Sequence, residues 1–226
     1  MNGYKIFEEQ VTAVVEKYKE LSFKIEDGIP CVFGAIILAD ESGSIEDTYQ
    51  IEIKAVIDYP YSFPLLFETG GRIPRNIDWH IFEKNGNCCI ASPPEEYILC
   101  NTGIDLLQFI ENQVKNYFYS QTFRNQNGYF LKERPHGSKG WIEFFEETFM
   151  TENIFNIEFG LNQILEGKKI DRVSDCFCGS GKKYRKCHKK SYEVLSKLTI
   201  GNIRLFMNAL RDTNEYKLAK QNQFLG

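Results

Sequence analysis

Four residues toward the C-terminal end of the chain, Cys176, Cys178, Cys187 and His188, offer a complete set of metal ligands on one short segment. Three thiolates and one imidazole suit tetrahedral zinc. With every coordination position filled by protein there is no open place for a reactive water, so the expected ion is structural zinc rather than catalytic. Between the two donor pairs, Gly179-Ser180-Gly181 lets the chain double back so that both pairs face one ion. Such an ion contributes on the order of 10 kcal/mol to folding a module too small to bury much apolar surface. Lys182, Lys183, Arg185, Lys186, Lys189 and Lys190 surround it. They make a basic face for an acidic protein or RNA, with solvated charge that merely keeps the thiolates ionised as the competing explanation.

A second group of cysteines, Cys31, Cys88, Cys89 and Cys100, needs a separate account. A thiolate is a good nucleophile and, as a thioester, a good leaving group for amine attack, so acyl transfer through a cysteine needs no cofactor. It does need a partly exposed thiol, a group to handle the amine's proton, and donors for the tetrahedral oxyanion. His80 and His136 are the candidates for the proton. A packed or loop-fixing histidine is the alternative for each. Asn85 and Asn87 flank Gly86 and could donate to an oxyanion, but Asn-Gly is also an ordinary turn sequence, and the turn is the preferred reading.

The chain has 226 residues, 42% hydrophobic and 14% aromatic, enough to bury a real core as one main domain with an appendage. A net charge of −4 gives no global field for nucleic acid, which is therefore not expected as a partner except weakly through the basic knuckle. The N-terminal MNGYKIFEEQ lacks the pattern of a secretory signal, and no stretch approaches eighteen apolar residues. A cytosolic location and no membrane partner are expected. There, seven cysteines point to metal and thiol chemistry rather than disulfides.

The elements that must position these groups follow from hydrophobic period. Residues 4 to 20 put Phe7, Val11, Val14, Val15 and Tyr18 on one helical face. After a break at Gly28-Ile29-Pro30, the run from Cys31 to Asp40 is β-branched and apolar. The next run alternates Ile51, Ile53, Ala55 and Ile57 with Gln50, Glu52, Lys54 and Val56, predicting a neighbouring antiparallel strand. Leu65 to Glu68 predicts a third. From there to Asn101 no period is sustained, and a loop of this length inside a domain is usually functional. It holds Cys88 and Cys89. Helices are predicted over Gly103 to Tyr119 and Trp141 to Phe149. Tyr192, Val194, Leu195, Leu198, Ile203, Phe206, Leu210 and Leu218 predict one or two more after the metal ligands. The fold class is α+β.

On this order of elements, with YPYSFPLLF at Tyr59 to Phe67 and NGNCCI at Asn85 to Ile90, the first 150 or so residues resemble the ubiquitin-conjugating enzymes. The first string is similar to the family's Tyr-Pro and Pro-Phe signature, the second to its Gly-x-x-Cys-aliphatic nucleophile motif. The resemblance implies an N-terminal helix, a four-stranded antiparallel meander, a long active-site loop and C-terminal helices. It places the nucleophile at Cys89 rather than Cys88. The family's His-Pro-Asn tripeptide is missing, and Asp78-Trp79-His80-Ile81 stands in its place. His80 upstream of the cysteine and Arg134-Pro135-His136-Gly137 instead resemble the bacterial branch found in antiphage and ubiquitin-like conjugation operons.

That branch implies a thioester between Cys89 and the C-terminus of a protein, a ubiquitin-like protein or a nucleotide cyclase. It also implies an activating enzyme upstream and a lysine of a target protein as acceptor. Modification of the cyclase in antiphage signalling is the expected setting. A catalytically inactive module of the same fold, docking partners through the basic knuckle, is the alternative. The string from Cys176 to His188 is similar to the SEC-C motif, the zinc module at the C-terminus of a bacterial preprotein translocase and appended to many other bacterial proteins. The expected organisation is a conjugating domain over residues 1 to 160 and a zinc knuckle with flanking helices over 161 to 226.

The remaining polar and thiol groups have plainer readings. Cys31 is expected in the core, Cys88 turned to the opposite side of the chain from Cys89, and Cys100 buried as a loop anchor rather than poised as a resolving thiol. Glu95 and Glu96 are expected as solvated loop charges rather than a lure for a lysine substrate.

Overall fold

In the computed structural model, which describes residues 2–167 and 170–224, the chain opens with helix α1 (Gly3–Lys17). The Asn2 side chain caps it by accepting from the Tyr4 amide at 3.1 Å. Phe7, Val11 and Val14 are its buried stripe, each contributing roughly 1.5–3 kcal/mol by leaving water. Four strands follow, β1 (Leu21–Glu26), β2 (Ile29–Ala39), β3 (Ile45–Lys54) and β4 (Leu65–Glu68), paired in chain order and all antiparallel.

The expected break at Gly28-Ile29-Pro30 is a tight hairpin. Asp27 and Gly28 both take left-handed φ values, 52° and 78°, and β2 begins at Ile29. Two-residue turns of this hand match the twist of the strands they join. The β2–β3 pairing expected from alternation is present, Val32 opposite Ile53 and Gly34 opposite Ile51. The third expected strand lies at Leu65–Glu68, and β1 is an addition.

After β4 come a 3-10 turn (Ile77–Trp79), helix α2 (Pro93–Leu99), and α3 (Leu106–Phe109), which continues through a π turn (Ile110–Val114) into α4 (Lys115–Asn127). Then follow α5 (Ser138–Phe149) and α6 (Ile154–Leu165). After the metal-ligand segment come α7 (Lys189–Leu195), α8 (Ile200–Asp212) and α9 (Asn214–Phe224), three helices where one or two were expected. Glu95 and Glu96, expected on a loop, lie in the first turn of α2, where negative charge meets the positive end of the helix dipole.

The chain divides into two compact units, Met1–Ala91 with Leu99–Glu133, and Ser92–Ile98 with Arg134–Gly226. This division falls elsewhere than residue 160, because α5 and α6 share a core with the helices after the metal ligands. In the first unit, Phe7, Val32, Ile36, Ile53, Phe109 and Phe118 belong to one buried cluster. In the second, Phe145, Phe149, Leu161, Leu195, Phe206 and Leu210 form another, against which Tyr97 and Ile98 of α2 pack. No helix among the described residues is long and apolar enough to cross a membrane.

A polar hub ties β3 to α4 within the first unit. Asp47 accepts from Arg72 Nη1 at 2.6 Å, the Thr48 amide at 2.8 Å and the Thr122 hydroxyl at 2.9 Å. Burial alone would raise its carboxyl, but these donors hold it down at about 2.

Candidate metal centre and thiol site

The four expected metal ligands converge, with donor atoms that all lie within 4.8 Å of one another. His188 Nδ1 is 3.2 Å from the sulfur of Cys176 and 3.2 Å from that of Cys187, and the sulfurs of Cys178 and Cys187 are 3.6 Å apart. With metal–sulfur bonds of about 2.3 Å and metal–nitrogen bonds of about 2.0–2.1 Å, neighbouring ligands of a tetrahedron are roughly 3.5–3.8 Å apart, close to these spacings. A disulfide would bring two sulfurs to about 2.05 Å, and all seven cysteines are free. The cluster therefore fits a structural zinc ion.

The fold of the segment explains the convergence. The Cys176 amide donates to the Lys182 carbonyl at 2.8 Å, and the Gly179 amide donates to the Cys176 carbonyl at 3.2 Å. Gly179 and Gly181 turn the chain at φ 73° and 70°, a region closed to most side chains. A 3-10 turn (Tyr184–Lys186) then delivers Cys187 and His188.

His188 is buried, and its Nε2–H donates to the carbonyl of Phe149 at the end of α5. That bond fixes the tautomer with Nδ1 free to ligate, an outer-shell partner of the kind that orients ligating histidines. Ser191 adds a second tie by donating to the Thr148 carbonyl at 2.5 Å, and Phe177 packs 5.0 Å from the His188 ring. The knuckle is thus fastened to the helices of its unit. Lys183 pairs with Asp175 and Lys189 with Glu193, while Lys182, Arg185, Lys186 and Lys190 stand exposed around the site. About one zinc per purified chain is expected, falling toward zero in Cys187→Ser; metal analysis showing equal content in both proteins defeats the site.

The thiol loop belongs to the first unit. The Cys88 amide donates to the Leu66 carbonyl and the Cys89 amide to the His80 carbonyl, both at 2.7 Å. Successive residues thereby face opposite ways. Cys88 is buried, and burial pushes its thiol up to about 12, so it stays protonated at neutral pH. Cys89 is half-buried. Asn85 lies in a turn closed by Gly86 N–H to the Phe82 carbonyl at 2.7 Å, while Asn87 follows it in a β-bridge to Phe67, its carbonyl accepting from the Phe82 amide at 2.9 Å. Cys31 and Cys100 are buried, the positions expected for them.

His80 sits in the left-handed region at φ 56°, ψ 38°, ending the 3-10 turn. Its ring is edge-on to Phe130 at 4.9 Å and places Nε2 3.9 Å from Glu133. A ring nitrogen lies within 4.8 Å of the Cys89 sulfur, so these two expected residues come together. His136 belongs to the second unit, just before the Gly137 that precedes α5.

Three residues of α4 with no expected role hold this turn in place. Tyr117 donates to the His80 carbonyl at 3.0 Å, Gln121 Nε2 to the Trp79 carbonyl at 2.8 Å, and Arg124 to the Asp78 carbonyl. The signal available in the sequence was a polar stripe at spacings of four and three on an otherwise packed helix. No family model matches the chain, and no curated protein or solved structure matches it.

Proposed function

We propose that the first unit is an acyl carrier of the ubiquitin-conjugating type and that the second is a zinc-ordered docking module. The docking part has the more direct support, because its four donors are assembled and its exposed rim is basic. The observation that carries the acyl-carrier part is the contrast within one loop. Cys89 is half-exposed beside an imidazole while its neighbour Cys88 is buried and protonated. The helix, four-stranded meander, long loop and following helices come in the order that the resemblance implies.

In this reading the Cys89 thiolate attacks the carbonyl of an acyl-protein thioester held by an activating enzyme, and the donor thiolate departs. A lysine amine of the target then attacks the new thioester. The Cys89 thiolate leaves, and the amine's proton passes to a base, for which His80 is the nearest candidate in this unit. The acyl donor is a ubiquitin-like protein or the C-terminus of a nucleotide cyclase, and the setting is bacterial antiphage conjugation in the cytosol.

The test is an adduct assay with an activating enzyme and candidate donors. An adduct cleaved by thiol reductant is expected in wild type and Cys88→Ala and absent in Cys89→Ala. An adduct that survives in Cys89→Ala ends the acyl-carrier reading. The second reading, a catalytically silent adaptor, is favoured by the completeness of the metal cluster. It gives no adduct with any donor but binds its partner only while zinc is bound.

A further inference from the structure

Three side chains of α4, at positions 117, 121 and 124, fall on one helical face and grip three successive carbonyls, those of His80, Trp79 and Asp78. Gln121 is 1% exposed, and a buried amide spent on one backbone carbonyl is an unusual use of a core position. Its Oε1 has no hydrogen-bond partner, while its Nε2 serves the Trp79 carbonyl beside the Tyr117 hydroxyl. The Arg124 guanidinium also lies 3.6 Å over the Trp79 ring and 4.6 Å over Phe130, the ring that His80 meets edge-on. Burial raises the Tyr117 phenol far above its ordinary value, so the group remains a donor at any physiological pH.

The gripped turn has two products. It sets His80 in a left-handed conformation that few residues adopt, and it presents the His80 carbonyl to the Cys89 amide. We propose that Tyr117, Gln121 and Arg124 are positioning residues for the Cys89 thiol, acting through the backbone and ring of His80. The proposal rests on the reading of Cys89 as the working thiol, but its test measures the thiol directly and not acyl transfer.

The experiment uses the full zinc-loaded chain and reads the alkylation rate of each cysteine by peptide mass spectrometry, with exchange of the Cys89 amide as a second readout. Tyr117→Phe removes one oxygen, and Gln121→Met removes the amide donor at similar volume. Hydrogen bonds of this kind are worth about 1 kcal/mol each, so the double variant is expected to exchange the Cys89 amide on the order of thirtyfold faster. It is also expected to alkylate Cys89 several-fold more slowly, with amide exchange across β1 to β4 unchanged.

His80→Gln is expected to slow alkylation to the same degree. Combining it with the double variant adds little, because both act through one residue. Wild-type alkylation and exchange in the double variant overturn the proposal, as does full additivity with His80→Gln. A clamp that passes this test in a chain that forms no thioester supports the positioning role and rejects the acyl-carrier reading.

Discussion

Phe206→Ala is expected to lower the stability of the second unit by about 3–5 kcal/mol, the range for deleting a fully buried aromatic ring. Phe206 is 1% exposed and lies where α8 meets α2 and α5, against three rings: Tyr97 of α2 at 6.0 Å between ring centroids, and Trp141 and Phe145 of α5 at 5.3 Å and 5.7 Å. Truncation removes the shared surface of all three, and the surrounding rings cannot close the gap without leaving their own contacts. The chain has two tryptophans, Trp79 in the first unit and Trp141 in the second. In a Trp79→Phe background, fluorescence therefore reports the second unit alone. Its midpoint should fall by on the order of 15 °C, while amide exchange in β1 to β4 stays at the wild-type rate. A midpoint unchanged by the substitution shows that Phe206 is not central to this core.

The parts of this fold that were legible in the sequence are those whose signal is local. Helix α1 announces itself by Phe7, Val11 and Val14, and β3 by strict alternation, because each buries one regular face. The metal ligands were legible for the same reason: donors and turn residues sit on one short segment. Strand β1 carries the same alternation, Leu21, Phe23 and Ile25 against Ser22, Lys24 and Glu26, but over six residues only, and in the fold just Leu21 is buried while Phe23 and Ile25 stand exposed at the sheet edge. Helix α2 opens with two prolines and runs for seven residues, too short to establish a helical period, although proline is well placed at a first turn. The placement of Cys89 was legible only in part. Its spacing from Gly86 is local, but the clamp on His80 comes from residues 37 to 46 positions away, and no pattern along the chain marks such pairs.

The long-range tie between the metal site and its helices leads to the second large effect. Gly160, in the middle of α6, gives way to the ring of Phe149: a Cβ at that position would lie 2.5 Å from Phe149 Cε1 and 2.6 Å from Cζ. Alanine is the better helix former by about 1 kcal/mol, so propensity alone predicts that Gly160→Ala stabilises α6. The contact decides otherwise. Phe149 is 1% exposed and packed in the core of its unit, and overpacking of this kind costs about 1–3 kcal/mol. The consequence extends beyond stability, because the carbonyl of the same residue accepts from His188 Nε2. A ring forced aside moves that carbonyl, and loss of such an outer-shell partner weakens metal binding by about 10–100-fold. Gly160→Ala is therefore expected to surrender zinc to a competing chelator at lower chelator concentration than wild type, and to melt earlier. A surface alanine substitution such as Asn208→Ala in α8 should change neither zinc retention nor, beyond a small shift, melting. Unchanged zinc retention in Gly160→Ala, with the expected loss of stability, separates packing from coordination and rejects the coupling between them.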